Sequence, residues 1–250
     1  MGGNWIGIAV AAVLVLILLM VWENAANTRA ISPLFFPQPS VTARTLAKWF
    51  STTEWQSIVI PTLRRLLIGL AAGATIGYLL GLLMGFSRAL ARIADPILSI
   101  IYPLPKISLL PLALVIFGLG DTPRQVVIGL AAFFPMVLNT MAGIRTINPN
   151  YLAIAQVYGA RPLTVITRLL LPGSLPLALT GLRIAFNSAF VVSIAIELHT
   201  ATDGLGHIVW RSWQTLRTEE LYAGLVIIAT IGVISTALLA ALYRRLVRWV

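Results

Sequence analysis

The sequence predicts an all-α integral membrane protein of about six transmembrane helices, on three observations. Of its 250 residues, 58% are hydrophobic and 10% charged, with a mean hydropathy of +0.91, whereas a soluble domain carries about 25% charged residues. Six apolar stretches are long enough to cross a bilayer, which takes about 20 helical residues. From Gly69 to Gly85 a glycine recurs at every fourth residue, a spacing that a helix gathers into one stripe.

Composition also excludes. There is no cysteine, hence no disulfide framework, thiolate metal site or cysteine nucleophile. His199 and His207 are the only histidines, and no metal site is expected. No Gly-Lys dipeptide occurs, so the chain has no phosphate-binding P-loop, and any ATP hydrolysis belongs to another chain. The net charge is +10. Its Arg and Lys residues are scattered between the spans, which points to topology signals and lipid headgroups, not to nucleic acid.

The first apolar stretch runs from Trp5 to Trp22. A cleaved signal peptide is the alternative, but Met1 to Asn4 carries no basic residue and the run exceeds the usual apolar length of roughly 7–15 residues. Tryptophan at both ends reads as interfacial anchoring. Glu23 to Ser57 is a polar connection, with an extended proline-rich part from Ile31 and an amphipathic interfacial helix from Val41 to Phe50.

The second span, Leu66 to Phe86, carries the ladder Gly69, Gly73, Gly77, Gly81 and Gly85. Each glycine costs a helix about 1 kcal/mol against alanine in water. Such a stripe therefore implies close packing on another helix, within the subunit or across a dimer. Ser87 to Asp95 reads as a loop. The third span, Pro96 to Leu119, contains Pro103, Pro105 and Pro111, with Lys106 among them. Internal prolines bend a helix, and bent membrane helices are tolerated where they are buried or line a cavity. Lys106 lines a water-filled path, takes part in a buried ion pair, or sits at the interface.

After a turn at Gly118–Arg124 comes the fourth span, Val126 to Ile144. The fifth, Leu175 to Leu198, places Thr180, Arg183, Asn187, Phe190, Ile194 and Glu197 on one face. That stripe faces a polar cavity or forms a helix–helix seam. Lys106, Arg183, Asn187 and Glu197 are the candidate translocation-path residues. Thr200 to Glu220 reads as a loop whose two glycines, Gly204 and Gly206, are expected to make a turn. Leu221 to Leu242 is the sixth span, followed by a basic tail.

Between the fourth and fifth spans, residues 148–172 form a polar segment with its own punctuation. Asn148 suits a helix cap, Pro149 the first helical position and Gly159 the residue past the end. Pro162 can open a second short helix and Pro172 close it. The segment reads as a docking handle for another protein, with an ordinary inter-helix loop as the alternative. Arg88, Arg92, Arg145, Arg161 and Arg168 lie in short connections on one side and Arg244, Arg245 and Arg248 in the tail. With Arg183 these make nine, against eight on the other side (Arg29, Arg44, Lys48, Arg64, Arg65, Arg124, Arg211 and Arg217). Because three of the eight lie in the longer first connection, where the positive-inside rule is weaker, the favoured orientation has both termini and the handle in the cytoplasm.

The handle resembles the cytoplasmic coupling loop, or EAA motif, of ABC importer permeases. Ala153-Ile154-Ala155, three residues, Gly159, and Leu169-Leu170-Leu171-Pro172 keep that spacing. Ala153 departs from the usual Glu, Ile154 from Ala and Leu169 from Ile. Along the chain, Asp95-Pro96, Pro105-Lys106, Phe117-Gly118-Leu119-Gly120, Gly181-Leu182-Arg183 and Gly204-Leu205-Gly206 resemble the nitrate/sulfonate/taurine-type branch, which includes bicarbonate systems. The resemblance implies a type I ABC importer permease fold in a plasma or inner membrane. It divides the chain into an N-terminal helix with an external proline-rich segment (1–57) and a permease core (58–250) whose coupling loop is 145–174. It also implies a homodimer, two cytoplasmic ABC ATPases that bind ATP and Mg, and an external substrate-binding protein. No cofactor is expected on this chain itself. Ala153, Ala155, Gly159, Leu171 and Pro172 become the ATPase-coupling residues, and the cargo a small anion.

Three other readings compete. A secondary transporter without an ATPase would need ion-coupling carboxylates at mid-depth, and none is legible there. A membrane enzyme would need a His/Asp/Glu cluster; only Glu197, His199, Asp203 and His207 lie near one another in sequence. A passive anchoring subunit would tolerate loss of Lys106 or Arg183.

Overall fold

A computed structural model describes residues 3–200 and 202–247. The side chain of Trp5, whose anchoring role was expected, and the tail residues from Arg248 lie outside the described residues. In chain order the helices are α1 (Gly3–Asn27), α2 (Pro39–Ser51), α3 (Glu54–Phe86), α4 (Arg88–Ile101), α5 (Leu110–Phe117), α6 (Asp121–Arg145), α7 (Pro149–Val157), α8 (Pro162–Val165), α9 (Leu171–Thr200), α10 (Leu205–Gln214) and α11 (Thr218–Leu246). A 3₁₀ turn, Lys106–Leu109, precedes α5, and a π-helical turn, Ile166–Leu170, joins α8 to α9. Five helical stretches are long and apolar enough to cross a membrane, and the bent pair α4–α5 makes up to six.

The chain divides into two compact units, Met1–Pro61 with Glu197–Thr230, and Thr62–Ile196 with Ile231–Val250. In the first, Glu23 near the end of α1 accepts hydrogen bonds from the Ser40 amide (2.9 Å) and hydroxyl (2.7 Å) at the start of α2. Trp22 packs on Tyr222, with ring centroids 5.3 Å apart. The proline-rich segment is not extended as expected. The Ser32 carbonyl accepts from the Phe35 amide at 3.1 Å, a turn in which Pro33 supplies the preset φ. The Thr218 hydroxyl donates to the Leu34 carbonyl at 2.6 Å and ties this turn to the start of α11.

In the second unit α3 and α6 lie parallel, in register over five turns. A Cβ on Gly69 would meet the Gln125 carbonyl, one on Gly73 the Gly129 carbonyl, and one on Gly77 that of Phe133. On Gly81 it would meet the Val137 carbonyl, and on Gly85 the Ile144 side chain. The glycine ladder is thus the surface on which the two backbones touch within one chain. Because α3 and α6 run the same way, the connection between them must return across the bilayer. The bent α4–α5 pair, counted as one crossing, supplies that return and brings the candidate spans among the described residues to six.

Helix boundaries differ from the expected spans where polar residues continue a helix beyond the apolar run. α3 begins at Glu54, twelve residues before Leu66. The expected loop Ser87–Asp95 is the first half of α4: Ser87 caps it, its hydroxyl accepting from the Leu90 amide at 3.3 Å. Ala91 and Leu98 then bury against Phe134, Val137 and Met141. Between α4 and the 3₁₀ turn the chain bends by 92°, where Pro103 and Pro105 supply no amide donors. Pro111 breaks nothing. It sits at the second position of α5, where an amide would be unpaired anyway.

At the far end of the α3–α6 pair, Asp121 gathers three guanidiniums. Arg65 donates through Nε at 2.6 Å and Arg124 through Nη1 at 3.2 Å, and Arg64 also touches the carboxylate. The Arg65 side chain is 3% exposed and that of Arg64 58%. Asp121→Ala leaves like charges crowded around a removed carboxylate, and should lower the unfolding free energy by about 3 kcal/mol, the scale for breaking a buried ion pair. Arg64→Ala should cost under about 1 kcal/mol. Denaturant titration in detergent checks both.

Candidate functional site

α7 is a nine-residue helix with both ends closed by its own sequence. The Asn148 side chain accepts from the Asn150 amide at 3.0 Å, and Pro149 occupies the first helical position. At the other end the Gly159 amide donates to Gln156 (3.0 Å) and the Ala160 amide to Ala155 (2.9 Å). These two bonds make a Schellman motif, which needs a left-handed residue past the helix end. Gly159 supplies it, with φ +63°, at no steric cost. The turn is thereby fixed without any tertiary contact.

α7 and the residues just past it carry exposed apolar side chains. Tyr151, Ile154, Val157, Tyr158 and Leu163 are all exposed, Val157 and Tyr158 by 84% and 85%. Ala153 is exposed on the same short helix and Ala155 half-buried. These apolar side chains were legible in the sequence as residues out of place in a polar connection, yet the candidate set included none of them.

Pro172 does not close a helix. From Pro162 the chain is one helical stretch to Thr200. Pro172 lacks the amide that Arg168 would accept, and a proline ring crowds the carbonyl four residues back. The π turn Ile166–Leu170 lies directly before it, the Leu171 amide reaching the Ile166 carbonyl five residues away. The wider turn accommodates the ring. Leu171 and Pro172 are half-buried at the start of α9.

The four candidate path residues have separate surroundings. The Lys106 ammonium turns back on its own bend, donating to the Leu104 carbonyl at 3.0 Å and to that of Tyr102. It lies 5.0 Å from the centroid of the Tyr102 ring and 4.7 Å from that of Phe134. Carbonyls and aromatic faces hold this charge, and it makes no ion pair among the described residues. On α9 the stripe divides. Thr180, Arg183 and Asn187 are exposed, while Phe190 and Glu197 are buried. Arg183 and Thr180 share a pocket of about 340 Å³ with Tyr243 and Arg244 of α11.

Glu197 is 1% exposed, and its carboxylate accepts from the Gly206 amide at 3.1 Å. The expected loop 200–220 contains α10, and Glu197 sits at the N-terminus of that helix, where a carboxylate is favoured. Gly204 has φ +102°, and a Cβ there would come within 2.6 Å of Glu197 Oε2. The glycines thus admit the protein's own carboxylate to the place an external anion would take. Glu197→Ala should destabilise the protein by about 1–3 kcal/mol, the scale for stranding a buried donor. Hydrogen exchange of the α10 amides should rise with it. Unchanged exchange would remove the capping role.

Comparison with known proteins follows the same lines. The family model described as binding-protein-dependent transport system inner membrane component matches residues 73–250. The chain is 35% identical over 239 residues to the taurine transport system permease protein TauC of Escherichia coli (strain K12), covering 93% of this chain and 86% of that protein. It is 26% identical over 233 residues to the putative aliphatic sulfonates transport permease protein SsuC of Bacillus subtilis (strain 168), covering 93% and 84%. A solved structure of the MetNI methionine ABC transporter in an inward-facing conformation superposes with a TM-score of 0.66 at 20% identity, over 74% of this chain and 93% of that one. The expected type I ABC permease fold is the fold found. With these helices and this match, the chain belongs to the binding-protein-dependent transport system inner membrane components, the membrane-spanning permeases of ABC transporters.

Proposed function

We propose that this chain is the permease of an ATP-driven importer of small sulfonates, taurine or an aliphatic sulfonate. In this reading two copies pair, each seats α7 in a cytoplasmic ATPase that binds ATP and Mg, and an external binding protein delivers the cargo. One observation carries the reading: α7 holds an exposed apolar face on a self-closed turn between two spans, a rigid knob shaped to enter a partner's groove. ATP-driven closure of two ATPases would draw two such knobs together and rock the helices between inward-open and outward-open states. The sulfonate class draws support from the names of the relatives and from exposed Arg183, whose fork suits an oxyanion. Secondary transport without an ATPase leaves the α7 face without a use.

In this reading six spans leave both termini in the cytoplasm, an orientation that the basic short connections support. The native chain has no cysteine, so single cysteines report cleanly. An impermeant maleimide applied to intact cells should label Thr215→Cys and spare Ala153→Cys; the reverse pattern inverts the topology.

Gentle detergent purification of the tagged chain, with mass spectrometry of what accompanies it, tests the assembly. A stoichiometric P-loop ATPase is expected. The chain alone, under conditions that hold other membrane complexes together, would return the secondary-transporter reading. Uptake of labelled taurine, an alkanesulfonate, nitrate and bicarbonate by the reconstituted complex tests the cargo; transport of nitrate or bicarbonate only would defeat the sulfonate assignment.

A further inference from the structure

Four helix ends meet on the α7 side of the second unit. The end of α3, the start of α4, the end of α6 and the first turns of α7 enclose a cavity of about 620 Å³. Arg88, Arg92 and Arg145 line it, with one carboxylate, Asp95. None of the three guanidiniums has an ion pair or side-chain hydrogen bond among the described residues. All three arginines are exposed and Asp95 is half-buried, so the open recess carries an excess of positive charge with guanidinium donors left for an anion.

We propose that this cavity binds a phosphate group, carried by an anionic phospholipid headgroup or free in solution. The guanidinium fork matches phosphate oxygens in pairs. The volume is within the range of about 300–1,000 Å³ for small-ligand sites. Arg88 follows directly on the apolar stretch of α3, and Arg145 ends that of α6, so the cluster lies at headgroup depth, where basic pockets between helices take lipid phosphates. Phe86, Ile144 and Leu170 form an apolar wall. That wall suits the glycerol and first acyl carbons of a lipid better than a hydrated ion, and better than an acidic peptide. Pro149 and Leu152 of α7 complete the enclosure, so occupancy and the stability of α7 are linked in both directions. None of this depends on the ATPase or cargo assigned above.

The test uses the full chain in nanodiscs of phosphatidylcholine alone, or with about one-fifth phosphatidylglycerol, the anionic probe. Native mass spectrometry should find phosphatidylglycerol retained about tenfold over phosphatidylcholine, a preference lost in the triple variant Arg88→Gln/Arg92→Gln/Arg145→Gln. Amides of α7 should exchange more slowly in the anionic discs. Inorganic phosphate titrated into phosphatidylcholine discs distinguishes the sources: arginine-dependent binding there, without lipid preference, assigns the site to free phosphate. Asp95→Asn leaves every arginine in place and should tighten binding about threefold, a gain that misfolding cannot imitate. Equal lipid retention by wild type and triple variant, with no phosphate binding, overturns the proposal. So does arginine-dependent binding of a glutamate-rich peptide alone, which would make the cavity a protein-docking site.

Discussion

Gly73→Leu should prevent α3 and α6 from packing, with a larger loss of stability than the changes at Asp121 or Glu197. A Cβ at this position would stand 2.0 Å from the Gly129 carbonyl oxygen and 2.8 Å from the Gly129 Cα. The obstacle is backbone on both sides, so no side chain can move aside. Overpacking a core costs about 1–3 kcal/mol when neighbours can yield, and more when they cannot; a loss above about 3 kcal/mol is expected here. Because α4–α5 and the arginine cavity hang on the same helix pair, the damage should spread through the second unit. Gly7→Leu is the control, since a Cβ there meets nothing within 4 Å. Denaturant titration of both variants, with yield of folded protein, is the measurement. Wild-type stability for Gly73→Leu would mean that the two helices do not touch at this turn.

Gly159→Asp should leave the folded chain nearly intact and cut ATPase retention about tenfold, or 1.4 kcal/mol of docking free energy. The two effects separate because of what surrounds the residue. A Cβ at Gly159 meets nothing within 4 Å, so the only internal cost is the left-handed backbone at φ +63°, about 1 kcal/mol and least for Asn and Asp. Outside, the new carboxylate lies beside the exposed Tyr158 and Val157, where a partner's apolar groove would have to desolvate it. Gly159→Asn carries the same backbone cost without the charge and should retain most of the ATPase. Thermal unfolding of the permease and the ATPase-to-permease ratio after purification separate the two terms. Equal ratios for wild type and Gly159→Asp would take this turn out of the interface.

What could be read beforehand follows the range of the interactions involved. The apolar runs, Asn148 and Pro149 at the start of α7, and Gly159 at its end act over a few residues, so the sequence alone determined a helical membrane protein of up to six spans with a self-closed knob between two of them. Its errors were also local. The hydropathy of α3, α4 and α10 marks where a helix is apolar, not where its hydrogen bonds begin, and Pro172 was read as a stop before the π turn that accommodates it was visible. Only the tertiary structure decided which surface the glycine ladder meets, since parallel contact with α6 is a relation between residues some 56 apart. The same holds for the three arginines on Asp121, the burial of Glu197 as the cap of α10, and the meeting of Arg88, Arg92 and Arg145 around one cavity. Charges brought together across separate helices depend on how those helices pack, and no periodicity along the chain encodes that.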